Sequence, residues 1–419
     1  MKYDVLVLGA GIVGVSTAIH LTRRGRSVLL IDKNEPGRET SFGNAGIIQR
    51  EGVRPHAFPR DLAMLMQVGL HLSTAARYDP LALPRITPPL LRYWWESSPS
   101  HYKRIVKSYA PLIALSIDEH ADLIAASGAE HLVIKKGWLL GFRTEAKLQT
   151  EAAKAQQDYE LYGVNHKLLS GDDIAAMEPD FRIRMAGAIH WTDPWTIKDP
   201  GALVSAYFEL YKSMGGQFTA GAAKNLRQTA EGWATEIESG IVKGQEVVVT
   251  LGPWAPEVLE PLGYRLPLFV KRGYHMHYGT EGGAKLNNWI IDADVGYLLA
   301  PMERGIRLTT GAEFALRDAA PTPIQLGKAE TAARELFPLG ERLDPAPWKG
   351  ARPCTPDMMP IIGPAPKHRG LWAGIGHAHH GFTLGPATGH LLAQVMTGEK
   401  PAIDITPFAM DRFAGSFSR

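Results

Sequence analysis

Val5-Leu6-Val7-Leu8-Gly9-Ala10-Gly11-Ile12-Val13-Gly14 joins four consecutive apolar residues to three glycines spaced Gly-x-Gly-x-x-Gly. An unbroken apolar run of this kind reads as a strand buried on both faces, as in parallel sheets. Val15, Ala18, Ile19 and Leu21 then recur at helical spacing until Arg23-Arg24-Gly25, where basic residues and a glycine end the helix. A second strand, residues 27–31, closes on Asp32, 18 positions after Gly14. Each position has a physical task. Gly9 permits the tight turn, Gly11 lets the backbone approach a pyrophosphate, and Gly14 lets the helix pack closely on the sheet. The exposed N–H groups at the helix start, Ile12 and Val13, favour the diphosphate anion. Asp32, followed by Lys33, stands where a carboxylate accepts hydrogen bonds from an adenosine ribose. Strand, glycine loop, helix, strand and acid together predict a dinucleotide site. The acid argues against a 2′-phosphate and leaves NAD and FAD open.

Working outward, Thr40-Ser41-Phe42-Gly43-Asn44-Ala45-Gly46 follows at once. Small hydroxyls, an amide and two glycines suit a loop lying against a polar ligand, and the position after the ribose-binding strand supports that reading over a plain surface loop. Far along the chain, Leu371-Trp372-Ala373-Gly374-Ile375-Gly376 reads as a short strand entering a second glycine loop, His377-Ala378-His379-His380-Gly381-Phe382-Thr383. The pattern from Ala387 to Met396 is helical, with Pro386 in its first turn and Gly398 past its end. A helix N-terminus there suits a flavin, whose reduction places negative charge at the N1–C2=O edge; the interaction is worth about 0.3–2 kcal/mol. The three histidines invite a metal, but no carboxylate or cysteine joins them at ligand spacing, so no metal is expected, and at least one of His377, His379 and His380 is read as packing near the ring system or as structural. Upstream, Gly350-Ala351-Arg352-Pro353 presents a guanidinium on a stiff, extended backbone. An arginine fork matches a carboxylate bidentately, which would orient an amino acid.

The totals bound the rest. The 419 residues are 45% hydrophobic, enough for a large core and two domains. A net charge of +2 gives no electrostatic case for nucleic acid. The single cysteine, Cys354, excludes an intrachain disulfide framework and makes a reducing cytoplasm the default. The N-terminus lacks the pattern of a secretory signal, and no run of roughly 18 apolar residues suggests a membrane span.

In the middle, Asp199-Pro200 opens a helix that reaches Gly215-Gly216, and residues 217–252 read as strands ending in a buried run. Tyr274-His275-Met276-His277-Tyr278 alternates faces, with both tyrosines and Met276 on one side. With the strand candidates at residues 296–300 and 306–311, it suggests an antiparallel sheet with one face over a flavin, where Tyr274, Tyr278 or Tyr297 would line a substrate pocket. Against this stands the plainer reading of amphipathic core tyrosines. Tyr93-Trp94-Trp95 and Tyr102, interleaved with Arg92, Lys103 and Arg104, and the leucine- and methionine-rich stretch at residues 62–72 fit a soluble core helix, an active-site cover or peripheral contact with the inner membrane.

Taken together, these motifs resemble the D-amino acid oxidase superfamily of FAD-dependent oxidoreductases. The N-terminal glycine motif, the 40–46 loop, Glu246-Val247-Val248-Val249-Thr250-Leu251-Gly252-Pro253-Trp254, Gly350-Ala351-Arg352-Pro353 and the glycine loop after residue 375 occur in the family's order over essentially the whole chain. The 40–46 loop looks most like that of bacterial D-amino acid dehydrogenases. The resemblance implies an α/β fold: a Rossmann-like FAD-binding domain (residues 1–60, 196–262 and 340–419) and an α+β substrate domain on an antiparallel sheet (residues 61–195 and 263–339). It implies that Gly9, Gly11, Ile12, Val13, Gly14, Asp32, Lys33, Thr40, Ser41, Asn44, Ala45, Gly46, Gly252, Trp254, Gly376, His377, Gly381, Phe382 and Thr383 hold FAD. Arg352, with Tyr274, Tyr297 and His379, would serve the substrate. Cys354 precedes Thr355-Pro356-Asp357 and does not match the attachment cysteine of sarcosine oxidases, so FAD is expected to be noncovalent. The implied reaction is hydride transfer from Cα of a D-amino acid or a proline-like substrate to flavin N5, the acceptor being a quinone, a dye-like carrier or O2. A sarcosine-, glycine- or proline-type oxidase and a noncatalytic FAD-binding subunit remain alternatives.

Overall fold

The computed structural model describes residues 2–70 and 76–413. Lys2–Leu8 lies in the middle of the first sheet, parallel to Val28–Asp32 on one side and to Gly240–Val249 on the other. Gln217–Ala220 extends the sheet beyond Val28–Asp32, and Leu371–Ile375 joins parallel to residues 247–249. A central parallel strand must be covered on both faces, and alternation divides its side chains between two cores. Val5 and Val7 pack with Val15, Ile19, Leu203 and Tyr207, while Leu6 and Leu8 pack with Trp233, Leu259 and Phe413.

Three helices, Ile12–Arg23, Pro200–Ser213 and Gly381–Met396, cover the first face. Asp199 caps the second of these, its carboxylate accepting the Ala202 N–H at 2.9 Å. The first and third touch backbone to backbone, because a Cβ on Gly389 would lie 2.6 Å from the Thr17 nitrogen. The last helix begins at Gly381, so Pro386 sits inside it rather than in its first turn. Proline there leaves the Phe382 carbonyl without its helical donor. His120 supplies one, with Nε2 2.9 Å from that oxygen, so Nδ1 is left to accept from the Tyr207 hydroxyl at 3.0 Å.

The second sheet is built on Phe269–Thr280 and is antiparallel apart from two parallel pairings. Its neighbours include Gly305–Thr309, followed by Tyr297–Met302, and Trp348–Cys354. Trp348–Cys354 carries Arg352, and although it falls in the range expected for the cofactor unit, it pairs into this second sheet with Lys271 opposite Arg352. Conversely, Pro99–Ala114 and Ser116–Ser127, from the range expected for the substrate unit, pack on Gly381–Met396. Within the leucine-rich stretch, residues 71 and 72 lie outside the described residues; Leu62–Gly69 is helical. No helix among the described residues is long and apolar enough to cross a membrane.

Candidate cofactor and substrate site

One cavity of about 740 Å³ runs between the two sheets, within the range of roughly 300–1,000 Å³ usual for ligand sites. At one end it meets the turn between Lys2–Leu8 and Ile12–Arg23. Gly9 adopts φ +106° there, and a Cβ on Gly14 would fall 1.8 Å from the Gly9 carbonyl oxygen. Gly11 differs: a Cβ there would approach only Ser41 Oγ, at 3.4 Å, so Gly11 turns open backbone toward the cavity. The helix that follows has no side-chain cap and no acid in its first turn; only Ile12 N–H is partly engaged, donating to Ser41 Oγ at 3.2 Å. Such a terminus suits a diphosphate, so the residues present fit the dinucleotide. Asp32 steadies the turn by accepting Ala10 N–H at 2.7 Å and Asn34 N–H at 3.0 Å. Beside it, Lys33 lies 4.5 Å over the Trp254 ring, which with Gly252 forms the adjoining wall.

Thr40, Ser41, Asn44 and Ala45 all line the cavity. Their loop is held by Thr40 Oγ1 donating to the Ala351 carbonyl at 3.0 Å and by Trp289 Nε1 donating to the Ala45 carbonyl at 3.0 Å. Gly46 keeps φ +71° because a Cβ would meet the Ile197 carbonyl at 2.3 Å. From the other sheet edge, His377, His379, Gly381 and Phe382 reach the same cavity, at the uncapped start of Gly381–Met396. Gly376 supplies the φ +78° turn behind them. Thr383 points elsewhere: its Oγ1 accepts Gln49 N–H at 3.1 Å and donates to the Ile47 carbonyl at 3.3 Å.

Among the described residues the three histidines form no ligand set, although the rings of His379 and His380 lie 3.8 Å apart. His377 bonds Thr388 Oγ1 at 2.9 Å, and His380 Nδ1 meets the Tyr109 hydroxyl at 2.7 Å. His379 faces the cavity with its ring 4.2 Å from that of His56. Among the described residues no group of histidine, cysteine and carboxylates is arranged to hold a metal.

Arg352 and Lys271, cross-strand partners, both line this part of the cavity. The guanidinium lies against Gly273, where a Cβ would come within 2.5 Å, and donates to the Gly311 carbonyl at 3.3 Å. Lys271 Nζ donates to the Tyr93 hydroxyl at 3.1 Å and sits 4.4 Å over that ring, with Phe314 at 5.4 Å. Among the described residues neither cation has a carboxylate partner. Burial pushes both pKa values down, Lys271 to about 8. Tyr93 donates to the His56 carbonyl at 2.6 Å and so anchors the loop that brings His56 and Phe58 to the cavity, whereas Trp94 and Trp95 are 39% and 59% exposed. Sequence reasoning passed over Lys271 and His56 as site residues, because a lone lysine or histidine carries no spacing signal, and met Tyr93 only as part of a candidate active-site cover.

The expectation of a pocket tyrosine needs correction for Tyr274 and Tyr278 but not for Tyr297, which borders the cavity. Tyr274 is not in the cavity: its hydroxyl donates to Glu313 at 2.7 Å and accepts Thr322 N–H at 3.0 Å. Together with Met276 and Tyr278 it packs under Ile324–Leu336, so the opposite face of the strand, bearing Lys271, looks into the cavity. Tyr297 borders the cavity, but its hydroxyl donates to the Ala332 carbonyl at 3.4 Å, toward that same helix.

The buried histidines carry a pH consequence. Burial holds His120 near 4 and His377 and His380 near 3, against 6.5 for a free histidine. Between these values the unfolded chain binds more protons, so stability falls as pH drops from about 6.5 toward 4. At pH 5, His120 alone costs about 2 kcal/mol. Thermal melts of the FAD-loaded protein should give a Tm several degrees lower at pH 5 than at pH 7.5. His120→Gln should reduce that difference but not abolish it, since His377 and His380 remain, and equal wild-type Tm values would refute the account.

A glycine turn and a second uncapped helix terminus open on one cavity, with an arginine on its wall, the parts of a dinucleotide-dependent enzyme. The chain belongs to the DAO family of FAD dependent oxidoreductases, whose model matches residues 4–395. Its cofactor is FAD. Cys354 is buried, and burial raises its thiol pKa, which disfavours the thiolate a covalent link needs. The chain is 30% identical to a D-amino-acid oxidase of Bradyrhizobium diazoefficiens, over 98% of both proteins. It is 28% identical to a D-amino acid dehydrogenase of Chromohalobacter salexigens, over 98% of this chain and 100% of that one. In fold it resembles the crystal structure of glycine oxidase from Geobacillus kaustophilus, with a TM-score of 0.75, 21% identity and coverage of 99% and 100%.

Proposed function

We propose that this enzyme oxidises a D-amino acid at its Cα–N bond, with Arg352 holding the α-carboxylate. The observation that carries this reading is a guanidinium on the cavity wall with no acid of its own among the described residues. The relatives named as D-amino acid oxidase and dehydrogenase support the substrate class. When bound, FAD supplies the hydride acceptor for the Cα–H bond. The chain supplies position. Arg352 projects from a sheet strand rather than a loop, so the carboxylate it grips is held in one orientation, and orientation can be worth about 7–11 kcal/mol. His56 and His379 are kept uncharged by burial and add no competing cation. The amine reacts as the neutral base.

The first test is an anaerobic spectrum of the FAD-loaded protein with matched D- and L-amino acids. Bleaching by D-substrates alone is the expected result. Bleaching by L-substrates alone would reverse the stereochemistry, and bleaching by neither would return weight to an FAD-binding subunit. Peroxide formed in air would identify an oxidase, and turnover only with quinones or dyes a dehydrogenase.

A further inference from the structure

We infer that Lys271 and Arg352 together form a two-cation substrate site, so that the preferred substrates are amino acids with a second carboxylate. The inference rests on the assignment of Arg352 to the α-carboxylate. Like charges placed directly opposite on neighbouring strands repel, and partial burial strengthens the repulsion. A sheet retains such a pair only if something offsets it. The usual partner, a carboxylate, is missing from the surroundings of both residues among those described. Among the described residues Lys271 Nζ finds the Tyr93 hydroxyl, the Met358 sulfur at 3.9 Å and the faces of Tyr93, Phe269 and Phe314. Aromatic faces attract a cation but leave N–H donors unfilled.

The charge of the whole cavity points the same way. Its three carboxylates among the described residues, Asp32, Glu39 and Glu257, are not among the charges acting on Arg352 or Lys271; Glu39 lies with Lys33, which sits over Trp254. Glu257 is paired with Arg317, which also lies over Trp254. Around Arg352 and Lys271 the lining is His56, Tyr93, Cys354 and His379, all uncharged at neutral pH, beside Phe58 and Phe314. A neutral amino acid in its reactive form, with an uncharged amine, carries one negative charge. With a side-chain carboxylate it carries two, which matches the two cations. A substrate with a basic side chain would place a third cation there and is disfavoured.

The test compares kcat/KM of the FAD-loaded enzyme for D-aspartate and D-glutamate with that for D-alanine, D-leucine and D-lysine, in the wild type and in Lys271→Met and Lys271→Gln. Truncating one partner of a buried charge pair costs at least about 2 kcal/mol, about 30-fold. We expect dicarboxylic substrates to lead, D-lysine to be poorest, and the dicarboxylic-to-neutral ratio to fall about 30-fold or more in both variants. Succinate, which has no amine to oxidise, should perturb the flavin spectrum of the wild type far more tightly than propionate does. That arm needs neither turnover nor a variant. Preference for neutral substrates, equal losses on both classes in the Lys271 variants, or succinate no tighter than propionate would overturn the inference while leaving amino acid oxidation intact. If no amino acid bleaches the flavin, the amino-acid reading falls and takes this one with it.

Discussion

Arg352→Ala should retain FAD and lose about a thousandfold in kcat/KM for its amino acid substrate, equivalent to about 4 kcal/mol of transition-state stabilisation. Removing one partner of a buried, hydrogen-bonded charge pair costs about 2–5 kcal/mol, and the loss is larger when the same contact sets the angle of attack. The fold should tolerate the change. Arg352 makes one long bond to the Gly311 carbonyl, and its removal relieves repulsion with Lys271. The informative measurements are therefore bound flavin per chain and the rate of anaerobic flavin reduction at saturating and limiting substrate. Arg352→Lys keeps the charge but not the fork, and should recover only part of the loss. Parallel loss of FAD and activity, or retention of both, would remove Arg352 from the substrate site.

Gly11→Ala and Gly14→Ala should fail in opposite ways, although they lie three residues apart in one motif. At Gly14 the new methyl would sit 1.8 Å from the Gly9 carbonyl oxygen and 2.7 Å from Thr250 Oγ1. A backbone carbonyl in a turn cannot move aside cheaply, so the cost falls on folding, at about 1–3 kcal/mol or more. Lower solubility and a lower Tm in the absence of FAD are expected. At Gly11 the backbone angle, φ −71°, suits alanine, and the nearest protein atom is Ser41 Oγ at 3.4 Å. The methyl instead points into the space kept open at the helix N-terminus. Gly11→Ala should leave the FAD-free Tm unchanged and weaken FAD affinity by about 100-fold, that is about 2.7 kcal/mol. Flavin fluorescence titration beside melts of the FAD-free protein separates the two effects. An unstable Gly11→Ala protein, or a Gly14→Ala protein that folds well but refuses FAD, would show that these roles are wrongly divided.

The sequence by itself determined the dinucleotide end of the molecule. Val5 to Asp32 form one contiguous unit in which strand, turn, helix and acid are fixed by local chemistry: apolar runs, glycines at set spacing and the N–H donors of a helix start. The helix opened by Asp199 and the extended setting of Arg352 were legible for the same reason. The substrate end was not. Alternation along 269–280 establishes which side chains share a face, but not which face meets the cavity, since each carries one cation, Lys271 or Arg272, among apolar and aromatic residues. That choice was made by Ile324–Leu336, which covers Tyr274 and leaves Lys271 on the other side. The pairing of Lys271 with Arg352, the anchoring of the His56 loop by Tyr93, and the donor that His120 lends to the helix interrupted by Pro386 each join residues far apart in the chain. Local spacing carries no trace of such contacts. The last two exist because burial obliges a carbonyl to find a donor in space, the first because strand register sets two cations side by side, and only the tertiary structure decides which groups are near.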